Sequence, residues 1–133
     1  MENNQLATKE SFESNNFCSF KAESLEDKKK LFQASSKCDI VINDIVGQEI
    51  ALKDILITSY QKPDEKGIVK ERYRSVIFDA DGKSYITCST YFRNALVKLM
   101  VLFGTPNTWG EPMNIRIIKT ETKNGKALGF ELV

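Results

Sequence analysis

One stretch constrains the chain more than any other: VKERYRSVIFDADGKSYITCSTYFRNALVKLMVLF, residues 69–103. Two strand-like runs meet at Asp81-Gly82. Asp-Gly between alternating apolar segments signals a tight hairpin, because both positions tolerate positive φ. Alternation puts Lys70, Arg72 and Arg74 on one face of the first run and Tyr73, Ser75 and Ile77 on the other. Counting back across a two-residue turn places Tyr85 near Phe78 or Val76. On the second run Lys83, Tyr85 and Thr87 share a face, and Ser84, Ile86 and Cys88 share the opposite one. Ile86 and Cys88 suit an interior, so Tyr85 is expected to look outward, near the cations. A helix follows at once, with Ser89 or Thr90 as its N-cap. Phe92, Ala95, Leu96, Leu99, Met100 and Phe103 recur at the period of one helical face, and Gly104 and Pro106 end the run. This helix is expected to plug a core and to bury Leu96, Leu99 and Phe103.

The flanks supply further strands. Ile50–Gln61 is β-branched and apolar without Gly or Pro, and Pro63-Asp64-Glu65-Lys66-Gly67 reads as an exposed turn. After a loop containing Trp109, Met113–Glu121 alternates, with Ile115 and Ile117 on one face and Arg116 on the other. Asn124-Gly125 makes a second tight turn, and the last strand aligns Leu128, Phe130 and Leu132. The order strand–strand–strand–helix–strand–strand is that of a five-stranded OB barrel. Upstream the pattern is weaker. Residues 38–46 read as a strand or a turn of helix. Leu31 onward reads first as a strand, although Ser24–Ala34 also fits a short helix with Ser24 as cap and Asp27 at its third position. Residues 1–28 are expected to form a polar, irregular arm with a short strand at Phe17–Phe20, its Phe12, Phe17 and Phe20 packing on the body rather than docking on a neighbouring subunit. Residues 29–133 form the domain proper.

Composition removes several functions. The 133 residues suit one domain with a real core. Without histidine the chain lacks the commonest general base and metal ligand. Cys18, Cys38 and Cys88 match neither a zinc pattern nor a disulfide framework and suit reduced thiols inside a cell. There is no P-loop, GxGxxG or GxSxG, so neither an enzyme nor a cofactor is expected. Asp79 and Asp81 flank a turn, where Asp serves the backbone more often than a metal. The start is no signal peptide, and no apolar run is long enough for a membrane. Charge is uneven. Residues 1–49 hold 6 basic against 9 acidic side chains, whereas residues 50–133 hold 13 against 9, which favours an anionic partner for the body.

What remains is a set of cations and aromatics interleaved on barrel strands: Tyr60, Lys62, Lys70, Arg72, Tyr73, Arg74, Lys83, Tyr85, Arg116 and Lys119. Single-strand binders pair a basic groove with aromatic platforms, because every base offers a π-face. Four stretches, KKLFQAS, DIVGQEIALKDILI, RSVIFDADGKSYITCS and LFGTPNTWGEPMNIRIIKTETKNG, resemble the small single-stranded-DNA-binding proteins of tailed phages, including those that replicate by protein priming. The resemblance implies an OB-like fold that coats displaced strands during phage DNA replication in the host cytoplasm, without sequence preference. Phage replication proteins and self-association on DNA are further contacts it leaves open. It carries over to Arg74 and Tyr85, while Tyr60 and Tyr73 rest on the strand reading. The rivals are an OB-type protein-interaction module and an RNA-binding protein of the same fold.

Overall fold

The apolar runs Ile55-Leu56-Ile57 and Val76-Ile77-Phe78 are buried without alternation. A strand buried at consecutive positions must be covered on both faces, and the architecture follows from that requirement. The computed structural model describes residues 16–133, except Ala22 and Asn124. The elements are β1 (Phe17–Cys18), α1 (Leu25–Ser36), β2 (Ile40–Val41), β3 (Glu49–Pro63), β4 (Val69–Asp79), β5 (Ser84–Thr87), α2 (Thr90–Phe103), β6 (Met113–Thr122) and β7 (Gly125–Leu132). Short 3-10 turns cover Ile42–Ile45 and Pro106–Thr108. The fold is mainly β, a mixed sheet curled into a half-barrel. Sheet order is β2-β5-β4-β3-β6-β7, with β1 added to β3. The β2–β5 pair is parallel and the others are antiparallel. Seven strands thus occur among the described residues: beside the strands of the body stand β1, inside the short strand expected at Phe17–Phe20, and β2, inside the segment read as a strand or a turn of helix, each only two residues long. A register shift between Leu52 and Asp54 sits where β3 passes from pairing with β6 to pairing with β4. Such irregularities bend a strand and increase its twist.

One face of the sheet carries the main core. Phe92, Leu96 and Leu99 of α2 pack there with Ile55, Ile57, Ile77, Ile115 and Ile117. Ser89 caps the helix, its Oγ accepting from the Phe92 amide at 3.1 Å, and Gly104 ends it at φ 82°. Phe103 departs from expectation, at 49% exposure. Trp109 from the following loop packs on the core, its indole donating to the Gly104 carbonyl at 2.9 Å, and Phe103 is left outside.

The opposite face is covered by α1. Leu31 and Ala34 meet Leu56, Val76 and Phe78. The strand expected from Leu31 is therefore a helix, and the capped alternative is the one realised: Ser24 Oγ accepts from the Asp27 amide at 3.1 Å. A capped start and an apolar pair three residues apart outweigh a weak strand pattern. Asp54 pins this layer. Its carboxylate accepts from Ser19 Oγ at 3.0 Å and pairs with Lys30 Nζ at 3.1 Å. That ammonium also lies 4.4 Å from the ring centres of both Phe20 and Phe78. Phe17 and Phe20 pack on the body as expected, while Phe12 lies outside the described residues.

Tyr85 is where the hairpin reading fails. The turn is not the two-residue Asp81-Gly82 loop. The Asp79 amide bonds the Lys83 carbonyl at 3.0 Å, which leaves Ala80, Asp81 and Gly82 as a three-residue loop with Gly82 at φ 88°. The register becomes Ile77↔Tyr85 and Val76↔Ile86. Moving a register by one residue exchanges the two faces of a strand. Tyr85 therefore joins the main core at 8% exposure, Ile86 turns towards the α1 layer, and Cys88 is exposed.

Candidate nucleic-acid interface

Both hairpin turns of this region use one device. Asp64 Oδ1 accepts from the amides of Lys66 and Ile68 at 2.8 and 2.9 Å. Asp79 Oδ1 accepts from those of Asp81 and Lys83, both at 2.9 Å. In each, a glycine three residues after the aspartate takes positive φ, 81° at Gly67 and 88° at Gly82. Three-residue hairpin loops close with such a left-handed residue, so the two Asp-x-x-Gly segments set the registers of β3–β4 and β4–β5.

The first register builds the candidate interface. β5 pairs with β4 only from Ser75 onward, and β6 pairs with β3 only as far as Leu52. Among the described residues, 58–63 and 69–74 thus run on as a two-stranded ribbon, with Asn16 Oδ1 accepting from the Ser59 amide at its base. On one face of it Thr58 lies opposite Arg74, Tyr60 opposite Arg72, and Lys62 opposite Lys70. Directly opposed residues share a face, so four cations surround Tyr60. The Arg74 guanidinium sits 5.2 Å from the Tyr60 ring centre, within cation–π range. Lys70 reaches Asp64 only at 3.9 Å and is 60% exposed, so its charge is largely free for solvent or a ligand. A hydrogen-bonding contact with the Cys88 thiol, and then burial, raise the Tyr60 phenol above its ordinary value, against the pull of Arg74 and Arg72. The phenol stays neutral at physiological pH and keeps an uncharged ring among the cations.

The remaining expected residues do not gather here. Tyr73 lies on the ribbon's other face, half-buried against the main core, with its hydroxyl donating to Glu71 at 3.3 Å. The Arg93 guanidinium lies 3.8 Å from its ring centre. Lys83 is exposed at the far end of β4. Tyr85 is internal, its hydroxyl donating to Asp79 Oδ2 at 2.7 Å; burial, and next that bond, push its pKa up to about 12. Arg116 is held between Glu131 and Glu49 at 2.8 and 2.9 Å. Lys119 is exposed on β6, opposite Leu128.

Two neighbours of the interface escape a reading by sequence. Cys88 follows the Ser75↔Thr87 pair and so comes beside Arg74; the correct turn length would have placed it there. Arg93 lies on a helix whose pattern speaks only of core, and nothing in the sequence links it to Tyr73. Among the described residues no group of three His, Cys, Asp or Glu is arranged to hold a metal, and no helix is long and apolar enough to cross a membrane.

No curated protein and no solved structure matches the chain. Residues 10–132 match the Phi29-type family described as phage single-stranded DNA-binding protein. That match spans nearly the whole sequence, including both ribbon strands and both helices, and the chain belongs to the family of phage single-stranded DNA-binding proteins.

Proposed function

We propose that the protein coats single-stranded DNA without sequence preference during phage DNA replication, in the cytoplasm of the host. The observation that carries this reading is the ribbon face on which Lys62, Lys70, Arg72 and Arg74 surround Tyr60. The cations neutralise phosphates and release counterions. The tyrosine ring offers a surface on which any base can stack. No side chain here needs to read a base edge, which is why the binding tolerates every sequence. The fold is a mainly β half-barrel with few helices, which is compatible with the OB-like fold expected from the sequence. That supports the reading, because OB folds bind oligonucleotides across their second and third strands.

Titration of the full chain with labelled oligo-dT at two salt concentrations tests the proposal. Binding that weakens with salt is expected. An absence of binding at low salt rejects it and leaves a protein-interaction module. Competition by oligo-U as effective as that by oligo-dT would assign the face to RNA as much as to DNA.

A further inference from the structure

Two half-buried cations of the fold, Arg74 and Arg93, have no carboxylate partner among the described residues, unlike the others. Lys30 has Asp54, and Arg116 has two carboxylates. Arg93 pairs with no carboxylate among the described residues. Its one polar contact among the described residues is Nη1 donating to Asn94 Oδ1 at 3.4 Å, a long bond to its chain neighbour. Its Nε is buried and has no partner. The guanidinium is nonetheless held in place, because it stacks 3.8 Å from the centre of the Tyr73 ring. One pleat further along the same face of β4, about 7 Å away by strand geometry, the Ser75 hydroxyl is also buried and unpartnered. An oriented guanidinium with unmet donors, standing at the rim of a folded body, is a site for an anionic oxygen acceptor.

Its position says which anion. Arg72, Tyr73 and Arg74 are consecutive on β4, so the pleat sends the two guanidinium groups to one face of the ribbon and the tyrosine to the other. Among the described residues no strand pairs with the β5 side of β4 below Ser75. That edge therefore has Arg72 and Arg74 on one side and the Arg93–Tyr73 stack on the other. We infer that Arg93 is a phosphate contact for single-stranded DNA on the second face of the ribbon, so that the bound strand turns over that edge of β4 instead of staying on the Tyr60 face. This rests on the single-strand binding proposed above and extends the path of the strand. Tyr73 acts as the plate that orients Arg93.

The test is the salt dependence of oligo-dT binding by Arg93→Gln. Loss of one contact to single-stranded nucleic acid lowers the slope of log affinity against log salt by about 0.7, which is about fivefold in affinity at 0.1 M salt relative to 1 M. Arg93→Lys, which keeps the charge, is expected to retain most of the slope; a merely structural role would not follow the charge. The wild-type protein supplies a second measurement that needs no variant. Phenylglyoxal modification read by mass spectrometry should show Arg93 protected by oligo-dT together with Arg72 and Arg74. A slope unchanged in Arg93→Gln overturns the inference. So does an Arg93 that reacts equally with and without DNA while Arg74 is protected, or one that never reacts in the free protein. A wild-type protein that does not bind oligo-dT at all rejects the single-strand reading itself, an outcome separate from these.

Discussion

Tyr85 is held at both ends of its side chain. The ring fills the core beside Ile77, and the hydroxyl donates to Asp79. Tyr85→Ala is expected to destabilise the fold by about 3–5 kcal/mol, as other large-to-small core changes do. Tyr85→Phe should cost about 1 kcal/mol, the worth of one net hydrogen bond. That smaller cost depends on pH. Burial alone would raise Asp79, but bonds from the Tyr85 hydroxyl and from the Lys83 and Asp81 amides hold its carboxyl below the ordinary value. A lowered carboxylate adds stability that is complete above about pH 4 and is lost as pH falls through the native value. Urea unfolding should therefore show the Tyr85→Phe deficit at pH 7 and a smaller one at pH 3; equal deficits would mean that the hydroxyl acts elsewhere. Tyr60 is the converse case, standing on the ribbon outside both cores. Tyr60→Ala should weaken oligo-dT binding by about 1–3 kcal/mol per stacked base and shift stability by no more than about 0.5 kcal/mol. Tyr60→Phe should leave binding intact, because stacking uses the ring. Unfolding by Tyr60→Ala with unchanged affinity of the folded fraction would remove Tyr60 from the interface.

At the level of elements, α2 and the two Asp-x-x-Gly turns divide the work between them. The turns set which face of each strand meets solvent, and α2 covers the face that carries the main core. Leu99 is 5% exposed and Phe103 is 49% exposed on the same helix. Leu99→Ala is expected to cost about 2–5 kcal/mol, whereas Phe103→Ala should cost under about 1 kcal/mol, a surface-like value. Chemical denaturation of the two variants side by side checks this, and similar losses would mean that the last turn of α2 is covered. The helix was legible because its apolar period, its serine cap and its glycine stop agree. The α1 helix was less so: its buried stripe is short, and its lysines suit either a solvated helix or a solvated strand.

Across the whole molecule, charge is placed so that the two faces of β3 and β4 change role along their length. Near α1 and α2 they are apolar and covered. Past Thr58 and Arg74 they become polar, and one face becomes cationic. Three or four phosphate contacts on that face correspond to a salt slope of roughly −2 to −3, at about −0.7 per contact. Arg72→Ala and Arg74→Ala should each make the slope shallower by about 0.7, measured by fluorescence titration over a range of salt. An unchanged slope in both variants would place the DNA elsewhere on the surface.

Alternation, caps and turns act over a few residues, so the sequence by itself determined what depends on them. It separated Lys70, Arg72 and Arg74 from Tyr73, it bounded α2, and it aligned Ile115 and Ile117 against Arg116. The resemblance in its motifs led to the family that the match over residues 10–132 shows. Tertiary structure decided whatever depends on register and on distant partners. One loop residue at Ala80–Gly82 sent Tyr85 inward and brought Cys88 out. Pairing of β3 with β4 put Tyr60 among the cations, since only the register says which residues face each other across two strands. Glu49 and Glu131, 67 and 15 residues from Arg116 in sequence, enclosed that cation. Packing of α2 against β4 laid Arg93 on Tyr73. Such contacts join segments with no local pattern in common, and only the folded chain brings them within reach.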